Sequence, residues 1–475
     1  MTRRTKIVAT LGPASSDAKT LSRMIAAGLD VVRMNFSHGT AAEHKARVEL
    51  VRKLARNAGR AVGVLVDLQG PKIRIGKFKD NKIELAEGAT FVLDAECKLG
   101  DQSRVGLDYT NLPNDVRNGD TLLLDDGRVV LKVMSVKGPR IHCVVELGGP
   151  LSNNKGINRK GGGLTAPALT EKDKLDIKIA AELKADYLGI SFPRSGEDMK
   201  WARDLMRKAG GKSLLIAKIE RAEAIAALEE ITDASDGIMV ARGDLAVEVG
   251  DAVVPALQKR MIRLARERNK LVITATQMME SMINNPIPTR AEVSDVANAV
   301  LDGTDAVMLS GESAAGKYPA ETVAAMARVC VEAEKEDPTV NERVRRSPPS
   351  ETEEAVARAT VFTANNLNIK AIAALTQSGK TPLLMSRLST AVPIYALSSV
   401  VETRRRVSLF KGVYPVKFKG ARNPVRALHM AEDELLKRGA VVNGDTIILT
   451  IGEPYGRAGG TNTMKIVTVG EHRKA

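Results

Sequence analysis

The sequence predicts an α/β fold: a (β/α)₈ barrel interrupted by an inserted all-β domain and followed by a smaller α/β domain. Three observations predict it. Eight short β-branched runs alternate with Ala/Leu/Arg-rich helical segments through the first two thirds of the chain. About a hundred residues of different texture separate the third run from the fourth, too many for a structureless loop. A charged, proline-bearing stretch then precedes a second set of strand-like runs. A doubly wound open sheet would show the same alternation; the number of runs and the chemistry at their ends favour the barrel.

The eight runs are Lys6–Thr10, Leu29–Asn35, Val62–Asp67, Tyr187–Ser191, Leu214–Ile219, Gly237–Ala241, Leu271–Thr274 and Ala306–Leu309. Ala222–Leu228 and Pro255–Arg268 carry helical spacing between them. Within the insertion, strands are expected at Lys82–Leu85, Thr90–Leu93, Thr121–Leu124, Val129–Val136 and Arg140–Glu146, around the turn signals Glu87-Gly88, Asp126-Gly127 and Lys137-Gly138-Pro139. The barrel then takes residues 1–69 and 170–340, and the β-domain, residues 70–169, sits over its mouth as a lid. The texture changes across Glu332–Glu354. Beyond it Ala371–Leu375, Val392–Leu397, Val413–Val416, Thr446–Ile451 and Met464–Val469 read as strands of an α/β domain over 350–475. There is no repeat of fixed period.

Composition narrows the function. Of 475 residues 44% are apolar and 27% charged, which suits folded domains. The net charge of +14 fits nucleic acid, an anionic membrane surface or small acidic substrates. With 7 Phe, 6 Tyr and 1 Trp, a base-stacking surface is disfavoured. Three scattered cysteines make no disulfide framework. The first residues lack the apolar core of a signal peptide, and no stretch is apolar enough to span a bilayer. A cytoplasmic protein without membrane or nucleic-acid partners is expected.

Side chains alternate across a strand. Arg33, Asn35 and Ser37 therefore share a face at the end of the second run, Asp67 ends the third, and Lys218 and Glu220 share a face at the end of the fifth. Arg242 and Asp244 share one after the sixth, Thr276 and Gln277 follow the seventh, and Ser310 and Glu312 the eighth. Active sites of barrels are built at that rim. Arg33, Arg74 and Lys218 suit phosphate, and Glu220 with Asp244 suit Mg²⁺ at a phosphate. Taken alone, Lys218–Glu220 reads more readily as a salt bridge, Asp244 as a helix N-cap compatible with a ligand site, and His38 as structural. In the last domain, Thr376-Gln-Ser-Gly-Lys-Thr381 lacks the first glycine of a P-loop, because position 374 is alanine. A turn that cradles one phosphate remains.

At these residues the chain resembles the pyruvate kinase family over essentially its whole length. The motifs are Thr5-Lys-Ile-Val-Ala-Thr-Leu-Gly-Pro13, Arg33-Met-Asn-Phe-Ser-His-Gly39, Asp67-Leu-Gln-Gly-Pro71, Ala217-Lys-Ile-Glu220, Ala241-Arg-Gly-Asp244, Ala275-Thr-Gln-Met-Met-Glu-Ser-Met282 and Pro288-Thr-Arg-Ala-Glu-Val-Ser-Asp-Val-Ala-Asn298. The resemblance implies phosphoryl transfer from phosphoenolpyruvate to ADP in glycolysis, giving pyruvate and ATP. It implies Arg33 and Lys218 on the phosphate, Glu220 and Asp244 on Mg²⁺ (with Mn²⁺ as substitute), and Gly243, Asp244 and Thr276 on the substrate carboxylate. Thr276 would stand on the proton route to the enolate. Arg74, Lys155, Asn35 and His38 would contact the nucleotide. Thr376, Ser378, Gly379, Lys380 and Thr381, facing the loop Gly456–Asn462, would hold a phosphorylated sugar or AMP as effector. The assembly implied is a homotetramer.

The chain departs from the commoner pattern of the family in ways that bear on K⁺. The family's monovalent-cation pocket matches Asn35, Ser37, Asp67 and Leu68, where a threonine oxygen is replaced by leucine. Lys72 stands where many members carry glutamate. The combination Leu68, Gln69, Lys72 and Ile75 resembles the branch that works without K⁺, with the Lys72 ammonium near Asp67 as the substitute charge. The lid returns through Lys155-Gly-Ile-Asn-Arg-Lys-Gly-Gly-Gly, also unlike the common pattern. Rival readings are another barrel enzyme acting on phosphoenolpyruvate or a keto acid, a lyase or aldolase, and a basic nucleic-acid-binding protein.

Overall fold

A computed structural model describes residues 3–336, 348–349, 351–420, 423–453 and 460–471. Eight parallel strands close into a barrel: Lys6–Thr10, Val31–Asn35, Gly63–Asp67, Tyr187–Ile190, Leu214–Ile219, Gly237–Ala241, Leu271–Ala275 and Ala306–Leu309. The first strand pairs with both the second and the eighth, which rules out the open sheet. Six of the eight are buried along their whole length, because helices cover them outside and side chains fill the interior. Strands buried on both faces read as continuous apolar runs, which is why all eight are legible. The second begins two residues later than expected, since Leu29 and Asp30 lead in from the helix cap at Gly28. Asp30 is held there by Arg3 at 2.7 Å and Arg60 at 3.1 Å.

Five of the barrel helices start on side-chain caps, from Asp17, Thr40, Thr170, Ser195 and Thr289. Thr40 with Glu43, Thr170 with Asp173 and Thr289 with Glu292 form reciprocal capping boxes, satisfying backbone donors that have no partner in the first turn. Their apolar faces pack on the strands in one cluster that includes Leu21, Val48, Met199, Met261 and Val323.

The insertion folds as a six-stranded sheet, ordered Ile157–Arg159, Thr121–Leu124, Val129–Lys137, Arg140–Leu147, Thr90–Asp94, Arg104–Val105, beside a pair formed by Gly149–Ser152 and Lys82–Leu85. All five expected strands are present. Three more, and the helix Leu112–Asp115, were not expected: pairings of two to four residues are too short to leave a period in the sequence. The sheet has its own core of Phe91, Leu93, Leu122, Leu131, Ile141 and Val145.

The last domain is a five-stranded sheet ordered Val413–Lys417, Ile394–Ser398, Ile369–Leu375, Thr446–Gly452, Thr461–Thr468, with only the final edge strand antiparallel. That strand begins three residues earlier than expected. This domain closes the floor of the barrel. Val8, Leu65, Tyr187 and Met239 from the barrel share one apolar cluster with Ile372, Met385 and Phe410. Buried polar contacts stitch the seam: Lys6 Nζ donates to the Val413 carbonyl at 2.6 Å, and Arg387 pairs with Asp305, Nη1 lying 2.6 Å from Oδ2. Most of the charged stretch expected to separate the domains lies outside the described residues. No helix among the described residues is long and apolar enough to cross a membrane.

Candidate active site

Parallel register brings the polar strand ends together. Asn35 and Gly189 both stand opposite Asp67, and Arg33 stands opposite Thr10. A Cβ at Gly189 would come within 3.1 Å of Asp67 Oδ1, so a glycine there leaves room for the carboxylate. Asp67 is fully buried and gripped from two sides. Arg33 Nε lies 2.6 Å from its Oδ2, and Lys218 Nζ lies 3.2 Å from its Oδ1. Lys218 Nζ also reaches Glu220 Oε1 at 2.9 Å and donates to Ser191 Oγ at 2.7 Å. Glu220 Oε2 accepts the Phe192 N–H at 2.8 Å.

This is a buried chain of alternating charge, Arg33–Asp67–Lys218–Glu220. Burial alone pushes the Asp67 carboxyl up, but Lys218 and Arg33 outweigh it and hold it below the ordinary carboxylate range. Burial pushes the Lys218 ammonium down; Asp67 and Glu220 more than reverse that, so it stays charged. Burial raises the Glu220 carboxyl against the opposition of Lys218, and the charge of Asp244 adds to the rise. Glu220 and Asp244, near enough for the Asp244 charge to act on Glu220, are a suitable hard-oxygen pair for a divalent ion. No group of three or more metal-ligating side chains occurs among the described residues.

Asp244 is not the N-cap the sequence allows. The helix Arg242–Val249 begins two residues before it, with Ala241 at the cap, so Asp244 lies in the first turn. Arg242 and Asp244 also do not share a face, because strand alternation ends at Ala241. The Arg242 guanidinium turns away to Asp295 at 2.7 Å. Asp244 instead meets Lys72, whose Nζ is 2.8 Å from Oδ1. Lys72 therefore faces the metal-ligand candidate and not Asp67 as expected. Thr276 leaves its strand at φ +69°, accepts the Gly243 N–H on Oγ1 at 3.0 Å and donates to the Ala275 carbonyl at 2.6 Å.

Around Asp67, Asn35 Oδ1 accepts the Ser37 N–H at 3.1 Å. The Leu68 side chain is buried in the barrel core and its carbonyl already accepts the Ser191 hydroxyl at 2.7 Å. Ser310 and Glu312 are structural: Glu312 is buried and accepts the N–H groups of Ser310 and Met279. Arg74 and Lys155 meet at the root of the inserted sheet, where Arg74 bridges to Gly156 and Lys155 pairs with Asp125 at 2.8 Å. The His38 side chain is exposed at the rim, and its carbonyl accepts from the His44 ring Nε2 at 2.9 Å. Ser191, Phe192 and Thr10 were missed. Ser191 ended an expected strand and stood at the rim like the others, but carried no charge to single it out.

The turn of the last domain also has the expected place, after the strand Ile369–Leu375 and opening the helix Lys380–Arg387. Gly379 takes φ +87°, and its N–H is accepted by Thr376 Oγ1 at 2.9 Å. Ser378 Oγ accepts the Lys380 N–H at 3.3 Å, and Thr381 Oγ1 donates to the buried Glu353 at 2.6 Å. Thr376, Ser378 and Thr381 line a pocket with Glu353, Ser399 and Thr461. Gly379 and Lys380, expected with them, do not line it, and the Lys380 ammonium pairs instead with Glu351 at 2.5 Å and Glu353 at 3.2 Å. Of the expected facing loop, residues 456–459 lie outside the described residues.

The fold and rim together define a barrel enzyme with cationic and carboxylate groups arranged for anionic oxygens. Comparison with known proteins makes the class specific. Residues 2–323 match the model of the pyruvate kinase barrel domain and residues 354–467 that of the pyruvate kinase alpha/beta domain. The chain is 54% identical to pyruvate kinase II of Salmonella typhimurium over 475 residues, covering 98% of this chain and 99% of that protein. It is 54% identical to a pyruvate kinase of Haemophilus influenzae, with 95% and 96% covered, and 42% identical to one of Mycobacterium tuberculosis, with 99% of each covered. The chain belongs to the pyruvate kinase family. It is a phosphotransferase, and the lyase, aldolase and nucleic-acid readings are not favoured.

Proposed function

We propose that the Arg33–Asp67–Lys218–Glu220 chain is the phosphoryl-transfer centre for phosphoenolpyruvate and ADP, in a protein divided at residues 70–169 and 350–475 as the sequence suggests. The observation that carries this is Lys218: a buried, charged ammonium fixed by three partners at 2.7–3.2 Å. A charge already oriented costs no reorganisation when the transferring phosphoryl spreads its own charge. Arg33, anchored on Asp67 and Thr10, grips the same phosphate. Glu220 and Asp244 would hold Mg²⁺, or Mn²⁺ in its place, which supplies charge neutralisation between phosphate and substrate oxygens.

The start of the helix Arg242–Val249, with Gly243, Asp244 and Thr276, orients the substrate carboxylate. Arg74, Lys155, Asn35 and His38 receive ADP. A β-phosphate oxygen of ADP forms the new P–O bond as the enol C–O–P linkage breaks at phosphorus. The enolate left behind takes a proton at its methylene carbon, by way of Thr276, and becomes pyruvate.

Three finer readings go with it. The pocket at Thr376–Thr381 takes a phosphorylated sugar or AMP, for which the hydroxyl-lined turn is the support. K⁺ is dispensable, supported by Leu68 and by the Lys72 ammonium. The assembly is a homotetramer, which membership of the family supports. The reading is tested by coupled ATP formation with purified protein. Activity should need phosphoenolpyruvate, ADP and Mg²⁺ together, and ATP formed without any one of them would overturn it.

A further inference from the structure

Two consecutive residues at the end of the seventh barrel strand, Thr276 and Gln277, hold φ values of +69° and +55°. A β-branched residue resists that conformation more than most, because its Cβ substituents crowd the backbone. Such strain persists only where the surroundings over-determine it. Here one side chain grips the carbonyls on both sides of the turn. Arg242 Nε lies 3.2 Å from the Ala275 carbonyl, and its Nη2 lies 2.6 Å from the Thr276 carbonyl. The guanidinium thus spans the peptide at which the chain turns. Its third corner, Nη1, is fixed by Asp295 Oδ1 at 2.7 Å. One residue further, the Gly243 N–H donates to Thr276 Oγ1 at 3.0 Å, so side chain and backbone of one helix start hold both ends of the threonine.

Asp295 is itself placed by the loop it serves. It lies on the helix Arg290–Leu301, whose N-terminal Glu292 accepts the Ser281 N–H at 2.7 Å, five residues beyond Thr276. Arg242 is 11% exposed at its side chain and directed away from Asp244, so its charge is not spent on the metal carboxylates. We infer that Arg242, oriented by Asp295, is the positioning residue that keeps Thr276 in the strained orientation from which it serves proton transfer. This rests on the reading of Thr276 given above. The planar fork matters: three donors meet three acceptors in fixed directions, which a lysine ammonium cannot reproduce.

The test separates positioning from mere structural support. Exchange of pyruvate methyl protons in D₂O, followed by NMR with Mg²⁺ and ATP present, reads the proton step alone. Arg242→Lys and Asp295→Ala should each lower both methyl exchange and kcat by about tenfold or more, with KM for ADP unchanged. Asp295→Asn, which keeps the shape and one acceptor, should lose less. Adding Asp295→Ala to Thr276→Ala should cost little beyond Thr276→Ala alone, since both act through one hydroxyl. Unchanged exchange in the folded Arg242→Lys or Asp295→Asn proteins with lowered kcat, or strictly additive losses, would overturn the inference. Wild-type turnover without any methyl exchange would instead overturn the reading of Thr276 itself.

Discussion

Lys72 Nζ lies 2.8 Å from Asp244 Oδ1, tying the root of the inserted sheet to the barrel carboxylate best placed for a divalent ion. The Lys72 ammonium is drawn down by burial, but Asp244 and then Asp126 reverse this, so it stays charged. The Lys72 charge therefore stands beside Asp244 and not beside Asp67, which Arg33 and Lys218 already pair. On the proposal that K⁺ is dispensable, this fixed cation is the charge that stands in for a mobile ion.

Lys72→Glu reverses that charge beside Asp244. Its kcat in tetramethylammonium buffer should fall, and added KCl should restore part of it. Wild-type kcat should change by less than about tenfold, or roughly 1.4 kcal/mol of barrier, on adding KCl at constant ionic strength. A larger rise in the wild type would contradict K⁺ independence.

What the sequence showed and hid follows from physics. Long, doubly buried strands and charged rim residues leave strong local signals, so the barrel and Arg33, Asp67, Lys218 and Glu220 were legible. Lys72 was misplaced because the backbone turns sharply just before it: Gly70 takes φ +68°, and a Cβ there would lie 2.6 Å from the Ser191 Cβ. Strand alternation cannot be carried across such a hinge. Arg242 was misread for the same kind of reason, since a helix starts where alternation was assumed to continue. Ser191 contributes through a hydroxyl between Lys218 and Leu68, a role only the tertiary contacts reveal.

The pocket of the last domain should couple to the active site. The helix opened by its turn ends at Arg387, which grips Asp305 and the Lys270 carbonyl at the start of the seventh and eighth strands. Coupling between two sites is reciprocal. In calorimetric titrations with ribose 5-phosphate and with AMP, at least one should bind, and bind more tightly when phosphoenolpyruvate is present. Identical affinity with and without substrate, or no binding of either, would contradict the assignment.

Lys6 gives the domain seam a pH signature. Burial pushes its ammonium down to about 8, with Asp30 opposing, while it donates to the Val413 carbonyl. In the unfolded chain it titrates near its ordinary value of about 10.4. Between those values the unfolded chain binds more protons than the native one, so this group's contribution rises with pH and is lost as pH falls through about 8. Urea unfolding midpoints at pH 8, 9 and 10 should therefore rise for the wild type relative to Lys6→Met. Parallel pH dependences in the two proteins would contradict it.

The most direct measurement is the kinetics of Lys218→Met, which keeps most of the stem and removes the charge at the centre of the Asp67–Glu220–Ser191 cluster. With folding checked by its thermal midpoint, because Asp67 and Glu220 lose a partner, kcat should fall by about 10²–10³ while KM for phosphoenolpyruvate changes far less. Near-normal turnover in the folded variant would contradict the account.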